Sequence, residues 1–129
     1  MLTLTLDGSR IHDIRGLYDE LNRVFMVGED WRLGQSLDAL DDLLHGGYGA
    51  LHGHDGARVV LSDHHRVREA LGLETTREYL RAKLEQPGTF SATLFQERLD
   101  RLEAEGGPTY FETVLEIFAE HPRIELVLA

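Results

Sequence analysis

Three short apolar runs constrain the fold more than any other feature of this chain. Leu2-Thr3-Leu4-Thr5-Leu6 alternates apolar and polar residues, the period of a strand with one buried face. Arg58-Val59-Val60-Leu61 and Ile124-Glu125-Leu126-Val127-Leu128 have strand length and β-branched content. Segments with helical periodicity separate all three. Strands joined through helices pair in parallel by right-handed crossovers. The expectation is one small α/β domain over residues 1–129, built on a three-stranded parallel sheet.

Between the strands, helix signals recur. Asp13 is placed to cap a helix running to about Phe25, with Ile14, Leu17, Tyr18, Leu21 and Phe25 inward. Met26 to Leu33 is a loop holding the only tryptophan, Trp31. Ser62 or Asp63 suits the start of a helix through Val67, Ala70 and Leu71. Thr75 or Thr76 suits the start of another, with Tyr79, Leu80 and Leu84 inward, ending at Pro87-Gly88. Ser91 caps a third, with Leu94, Phe95, Leu99 and Leu102 inward, ending at Gly106-Gly107. Pro108 suits the start of the last helix, whose apolar face is Phe111, Val114, Leu115 and Phe118. Residues 62–107 thus look like a helical insertion before the last helix.

Chemistry concentrates in Gly34-Gln35-Ser36-Leu37-Asp38-Ala39-Leu40-Asp41-Asp42-Leu43-Leu44. Ser36 is a strong N-cap candidate, and Gly34 permits the bend into the helix. Leu37, Leu40 and Leu44 form an apolar face with Leu43 at its edge; Asp38, Asp42 and His45 lie opposite, with Asp41 between. This carboxylate stripe runs against local preference. Asp is a weak helix former, and like charges four residues apart cost a few tenths of a kcal/mol, about 0.2–0.5. The helix dipole excuses Asp38 in the first turn, but not Asp41 and Asp42. From the helix alone, a stripe of this kind fits either an outside partner that supplies positive charge or a solvated acidic face with no partner.

The charge balance agrees. With 13 Lys and Arg against 23 Asp and Glu, the formal net charge is −10. Direct nucleic-acid binding needs basic surface, so it is not expected; a basic protein partner is. There is no cysteine, hence no disulfide framework or thiolate zinc site. Met1–Leu6 lacks the basic segment and apolar core of a signal peptide, and no run approaches membrane-spanning length. The expectation is a cytoplasmic protein, monomeric on its own, without membrane contact.

Three strings in order resemble the barstar family, intracellular inhibitors of barnase-type ribonucleases. The first is Leu6-Asp7-Gly8-Ser9-Arg10-Ile11 followed by Leu17-Tyr18-Asp19-Glu20-Leu21. The second is Leu37-Asp38-Ala39-Leu40 with Asp42. The third is Glu112-Thr113-Val114-Leu115-Glu116-Ile117-Phe118 with Glu120, then the apolar strand to Ala129. No one string is specific, but the ordered set is. The long middle would mark a longer branch of the family.

The resemblance implies the sheet order 1-2-3 and a central helix that, with its preceding loop, plugs a ribonuclease active site. Asp38 and Asp42 match the acidic positions of that helix, and Glu120 matches a third acidic contact. Gly34 matches the glycine before the helix, and Ser36 falls at the usual Asn, with Gln35 between them. Some positions depart from the pattern. Asp41 replaces an aromatic. Arg32 and Leu33 stand where tyrosines are usual, with Trp31 a substitute beside them. Gly47 stands where another aromatic occurs, with Tyr48 next to it. The partner surface expected is Asp38, Asp42, Glu120, Trp31, Asp41, Gly34, Gln35, Ser36 and Tyr48.

Other readings carry less. His52, His54 and Asp55, and Asp63, His64 and His65, are metal-ligand types without a firm spacing, so no metal or cofactor is expected. Asp38 and Asp42 have no nucleophile, phosphate loop or oxyanion feature beside them, so a carboxylate- or metal-dependent hydrolase is the rival reading from another class and not the expected one. An acidic adaptor for some other basic protein remains the mechanical alternative to a non-enzymatic inhibitor.

Overall fold

A computed structural model of the protein describes every residue except Pro87, Thr89 and Phe90. The strands are β1 (Leu2–Asp7), β2 (Ala57–Ser62) and β3 (Ile124–Leu128), paired in parallel in the order β1-β2-β3. Register aligns Leu4 with Val59 and Val59 with Leu126, so the apolar alternation of each strand falls on one face. The other face is wet: Thr3, Thr5, Arg58 and Glu125 are exposed, and Arg58 pairs with Glu125 at 3.0 Å. This open face explains why β1 alternates with threonine instead of reading as the unbroken apolar run of a doubly covered parallel strand.

Helices α1 (Ile14–Phe25), α2 (Leu37–Leu44) and α6 (Tyr110–Ala119) contribute to the core that covers the apolar face. Leu17, Tyr18, Leu21 and Phe25 of α1 meet Leu40, Leu43 and Leu44 of α2 and Phe111, Val114 and Phe118 of α6 in that core. On α2, Leu43 is fully buried and Leu37 only half so, shifting the expected apolar face by one residue. The Tyr18 and Tyr110 hydroxyls share a buried hydrogen bond of 2.8 Å between α1 and α6. Burial pushes the Tyr18 phenol up to about 12, against the effect of that bond.

Two close approaches shape the frame. A Cβ on Gly8 would lie 2.0 Å from the Ser62 carbonyl oxygen, so only glycine fits where β1 ends against β2. Gly8 N–H donates to Ser62 Oγ, and that hydroxyl donates to the Leu6 carbonyl. The second is a buried ion. Glu20 is 2% exposed and accepts from the Asp7 N–H (2.7 Å) and twice from Arg23 (2.7 and 2.6 Å), with Arg10 at 3.3 Å. Burial alone would raise its carboxyl. The Arg23 hydrogen bonds, the Asp7 N–H and both guanidinium charges outweigh that and hold it below the usual carboxylate range.

The middle of the chain forms α3 (His64–Ala70), α4 (Leu73–Leu84) and α5 (Ala92–Glu105). Helix α3 buries Val67, and its C-cap Leu71, in the main core, whereas α4 and α5 share a satellite core of Leu80, Phe95 and Leu102. Several expected boundaries change here. Neither Thr75 nor Thr76 caps α4, which starts after Gly72. Thr76 lies inside the helix because its hydroxyl has two other bonds: it donates to the Gly72 carbonyl (2.6 Å) and accepts the Tyr110 N–H (2.7 Å). Asp63 precedes α3 in a left-handed conformation, φ 51°, without a side-chain cap bond. Helix α4 ends at Leu84; the expected stop at Pro87 lies outside the described residues. Leu94 is 41% exposed, not inward. Pro108 does not begin α6. Thr109 caps it, accepting the Glu112 N–H (3.2 Å) while the Glu112 carboxylate accepts the Thr109 N–H (2.8 Å).

Candidate partner-binding surface

Helix α2 starts as its sequence indicates. Ser36 is extended, and its hydroxyl accepts the Ala39 N–H at 3.0 Å. With Leu40, Leu43 and Leu44 buried, the helical period turns Asp38, Asp41, Asp42 and His45 outward within an arc of about 100°. Asp38, Asp42 and His45 are exposed, and Asp41 is half-buried.

The loop before α2 is held from below. Asn22 of α1 is buried; its carbonyl oxygen accepts the Leu33 N–H (2.7 Å), and its amide donates to the Leu33 carbonyl (3.3 Å). Leu33 is thereby an anchor, and Gly34, Gln35 and Ser36 stand exposed beyond it. A Cβ on Gly34 would meet open space, so the fold itself does not demand a glycine there.

Beyond α2, Glu29 reaches across and accepts the Gly49 N–H at 2.8 Å. Gly49 has φ 71°, and a Cβ there would come within 2.6 Å of the Phe25 carbonyl oxygen. The chain at Gly49 is thus held to Glu29 of the Met26–Leu33 loop and close against the end of α1, with Tyr48 beside Trp31. Their ring centroids are 4.7 Å apart, and Trp31 remains 44% exposed. Burial, then the Asp42 charge, raises the Tyr48 phenol, so the aromatic pair borders the acidic arc. On the other flank, Asp38 lies near Tyr18 and Tyr79: its charge adds to burial in raising both phenols.

Glu120 joins through its neighbour. It caps the C-terminus of α6, exposed, and His121 follows it. His121 Nε2 and Asp41 Oδ1 are hydrogen-bonded at 2.7 Å, clipping the end of α6 to α2. The structure therefore brings Asp38, Asp41, Asp42 and Glu120 to neighbouring elements, with Trp31 and Tyr48 at one edge and the Gly34–Ser36 loop at the helix start. The grooves beside α4, lined by Gln35, Glu78 and Lys83 on one side and Arg98, Tyr110 and Glu116 on the other, contain none of the α2 carboxylates. These acids project from a helix surface.

Sequence reasoning did not find Asn22, Glu29 or His121 as the residues that hold this surface. Only His121 had a signal, its position next to Glu120.

A sheet of order β1-β2-β3 with an outward acidic helix before β2 is the arrangement the family resemblance implies. The family model of barstar, the barnase inhibitor, matches residues 1–91. The chain belongs to the barstar family. The match takes in β1, α1, the loop, α2, β2, α3 and α4. Glu120 lies beyond it, on a helix whose following strand completes the barstar-like sheet. No curated protein sequence matches the chain. Barstar family members are inhibitors of barnase-type ribonucleases, not enzymes.

Proposed function

We propose that the protein inhibits a secreted or toxin-type ribonuclease by occlusion, as an immunity protein in the cytoplasm of the cell that makes the enzyme. The observation that carries this reading is the exposed α2 carboxylate arc on a rigid mount. A ribonuclease active site binds phosphates and is basic. Carboxylates without a scissile bond fill it and stay. In this reading Asp38 and Asp42 enter the site centre, Glu120 and Asp41 extend the contact, and Trp31 with Tyr48 packs at the rim. Gly34, Gln35 and Ser36 form the approach edge, where the missing Gly34 side chain leaves room for the enzyme. No catalysis and no cofactor take part in occlusion, and the inhibitor acts as a monomer.

Pre-organisation supports the same reading. The Asn22–Leu33, Glu29–Gly49 and Asp41–His121 bonds fix the loop and helix before any partner arrives, which lowers the ordering cost of binding. The test is inhibition of purified secreted ribonucleases from the same source, RNA cleavage being followed against inhibitor concentration. Stoichiometric loss of activity with one of them is expected. Full activity of all of them at saturating inhibitor would refute the proposal.

A further inference from the structure

The bond between Asp41 and His121 is part of a larger group. His45, four residues after Asp41 on the same helix face, brings its ring edge-on to His121, with centroids 4.8 Å apart. One ligand atom from each of Asp41, His45 and His121 lies within 4.8 Å of the other two, the only such convergence of three ligand residues among the described residues. The histidines at the start of α3 do not converge in this way: the His64 ring bonds the Ala129 carbonyl and lies tilted against the His65 ring.

We infer that Asp41, His45 and His121 form a binding site for a zinc-class divalent cation. The donor set is two imidazoles and a carboxylate, which suits zinc and its neighbours and leaves a fourth position open to water. Four-coordinate bonds of about 2.0–2.1 Å place ligand atoms about 3.3 Å apart. The Asp41–His121 pair, at 2.7 Å, needs to open by only about 0.6 Å, and the other pairs, within 4.8 Å, need to close by at most about 1.5 Å. His45 is already set for the role. Its Nδ1 lies 2.9 Å from the Asp41 carbonyl oxygen, which only accepts, so in the neutral ring Nδ1 carries the proton and Nε2 keeps its lone pair. His121 is 12% exposed at its side chain, so its ring is held in place by surrounding structure. Helix α2, its C-cap and the turn after α6 thus deliver three ligands with little to reorder. The site stands independently of the ribonuclease reading, since it needs only the free protein.

The alternative use of the same residues is a structural clip between α2 and α6, and the two separate experimentally. Zinc chloride is titrated into the full chain by calorimetry, alongside Asp41→Asn, His45→Gln and His121→Gln, with His52→Gln as control and circular dichroism to check folding. A single site is expected, weakened about tenfold or more in each of the three variants and unchanged in the control. His45→Gln decides the matter, because the exposed His45 ring takes no part in the Asp41–His121 bond and its loss leaves the clip in place. Zinc binding equal in His45→Gln and the unmodified chain, or no saturable site in either, overturns the inference.

Discussion

Glu20→Gln tests whether a single buried ion holds the start of the chain to α1. The carboxylate accepts three hydrogen bonds, and an amide oxygen of the same shape keeps at most part of that set while its NH2 faces other donors. Hydrogen bonds to a charged group contribute about 1.5–3 kcal/mol each. Arg10 and Arg23 are 58% and 47% exposed at the side chain, so water recovers much of their loss. The expected cost at pH 7 is therefore about 2–4 kcal/mol, or about 10 °C in Tm for a domain of this size.

The pH dependence follows from the direction of the shift. The folded carboxyl lies below its ordinary value, so the folded chain binds fewer protons than the unfolded one. The stabilisation is complete above the unfolded value and fades as pH falls through the folded one. The gap between the two proteins should be full at pH 7 and should narrow below about pH 4.3. Urea unfolding followed by circular dichroism at pH 7 and pH 3.5 measures both gaps. A loss below about 0.5 kcal/mol at pH 7, within the range of an ordinary surface substitution, would refute the reasoning. So would a gap that does not change with pH.

Three further outcomes are expected. Asn22→Ala strands the Leu33 N–H and carbonyl, costing about 2–4 kcal/mol, and amide exchange at Leu33 should lose its protection. Gly8→Ala forces a Cβ against the Ser62 carbonyl and should cost about 3 kcal/mol in urea unfolding, whereas Gly28→Ala, with open space around it, should stay within about 0.5. Trp31 is the only tryptophan and is partly exposed beside Tyr48, so its emission should shift on ribonuclease binding; an unchanged spectrum in a formed complex removes it from the interface.

Much of the fold was legible because its signals are local. The Leu2-Leu4-Leu6 alternation marked a strand with one wet face, and the Ser36 cap and leucine spacing marked α2 and its outward acids. What escaped the sequence depends on distant partners. Thr76 resembles a cap, yet its hydroxyl serves the Tyr110 N–H thirty-four residues away. Glu20 belongs by pattern to a polar helix face, and only the return of β1 beside it makes a buried ion site. His121 meets Asp41 across eighty residues, whereas the metal-ligand types that cluster along the sequence lie near His52 and His64. At the candidate surface, the acids were visible and the residues that mount them were not.

The central claim is that the α2 carboxylates enter a basic ribonuclease site. The most direct measurement is the dissociation rate of Asp42→Ala from an inhibited ribonuclease, set beside that of Asp19→Ala. Asp19 is exposed on α1, paired only loosely with Arg15 at 4.0 Å. Truncating a carboxylate buried against a cation costs about 2–5 kcal/mol, a general range that itself draws on inhibitor pairs of this family. That corresponds to a loss of affinity of about 30-fold to several thousandfold, expected mainly as faster dissociation. Asp19→Ala should alter only association, slightly, and only at low salt. If Asp42→Ala dissociates no faster than Asp19→Ala, the acidic arc is solvated surface and occlusion by α2 is contradicted.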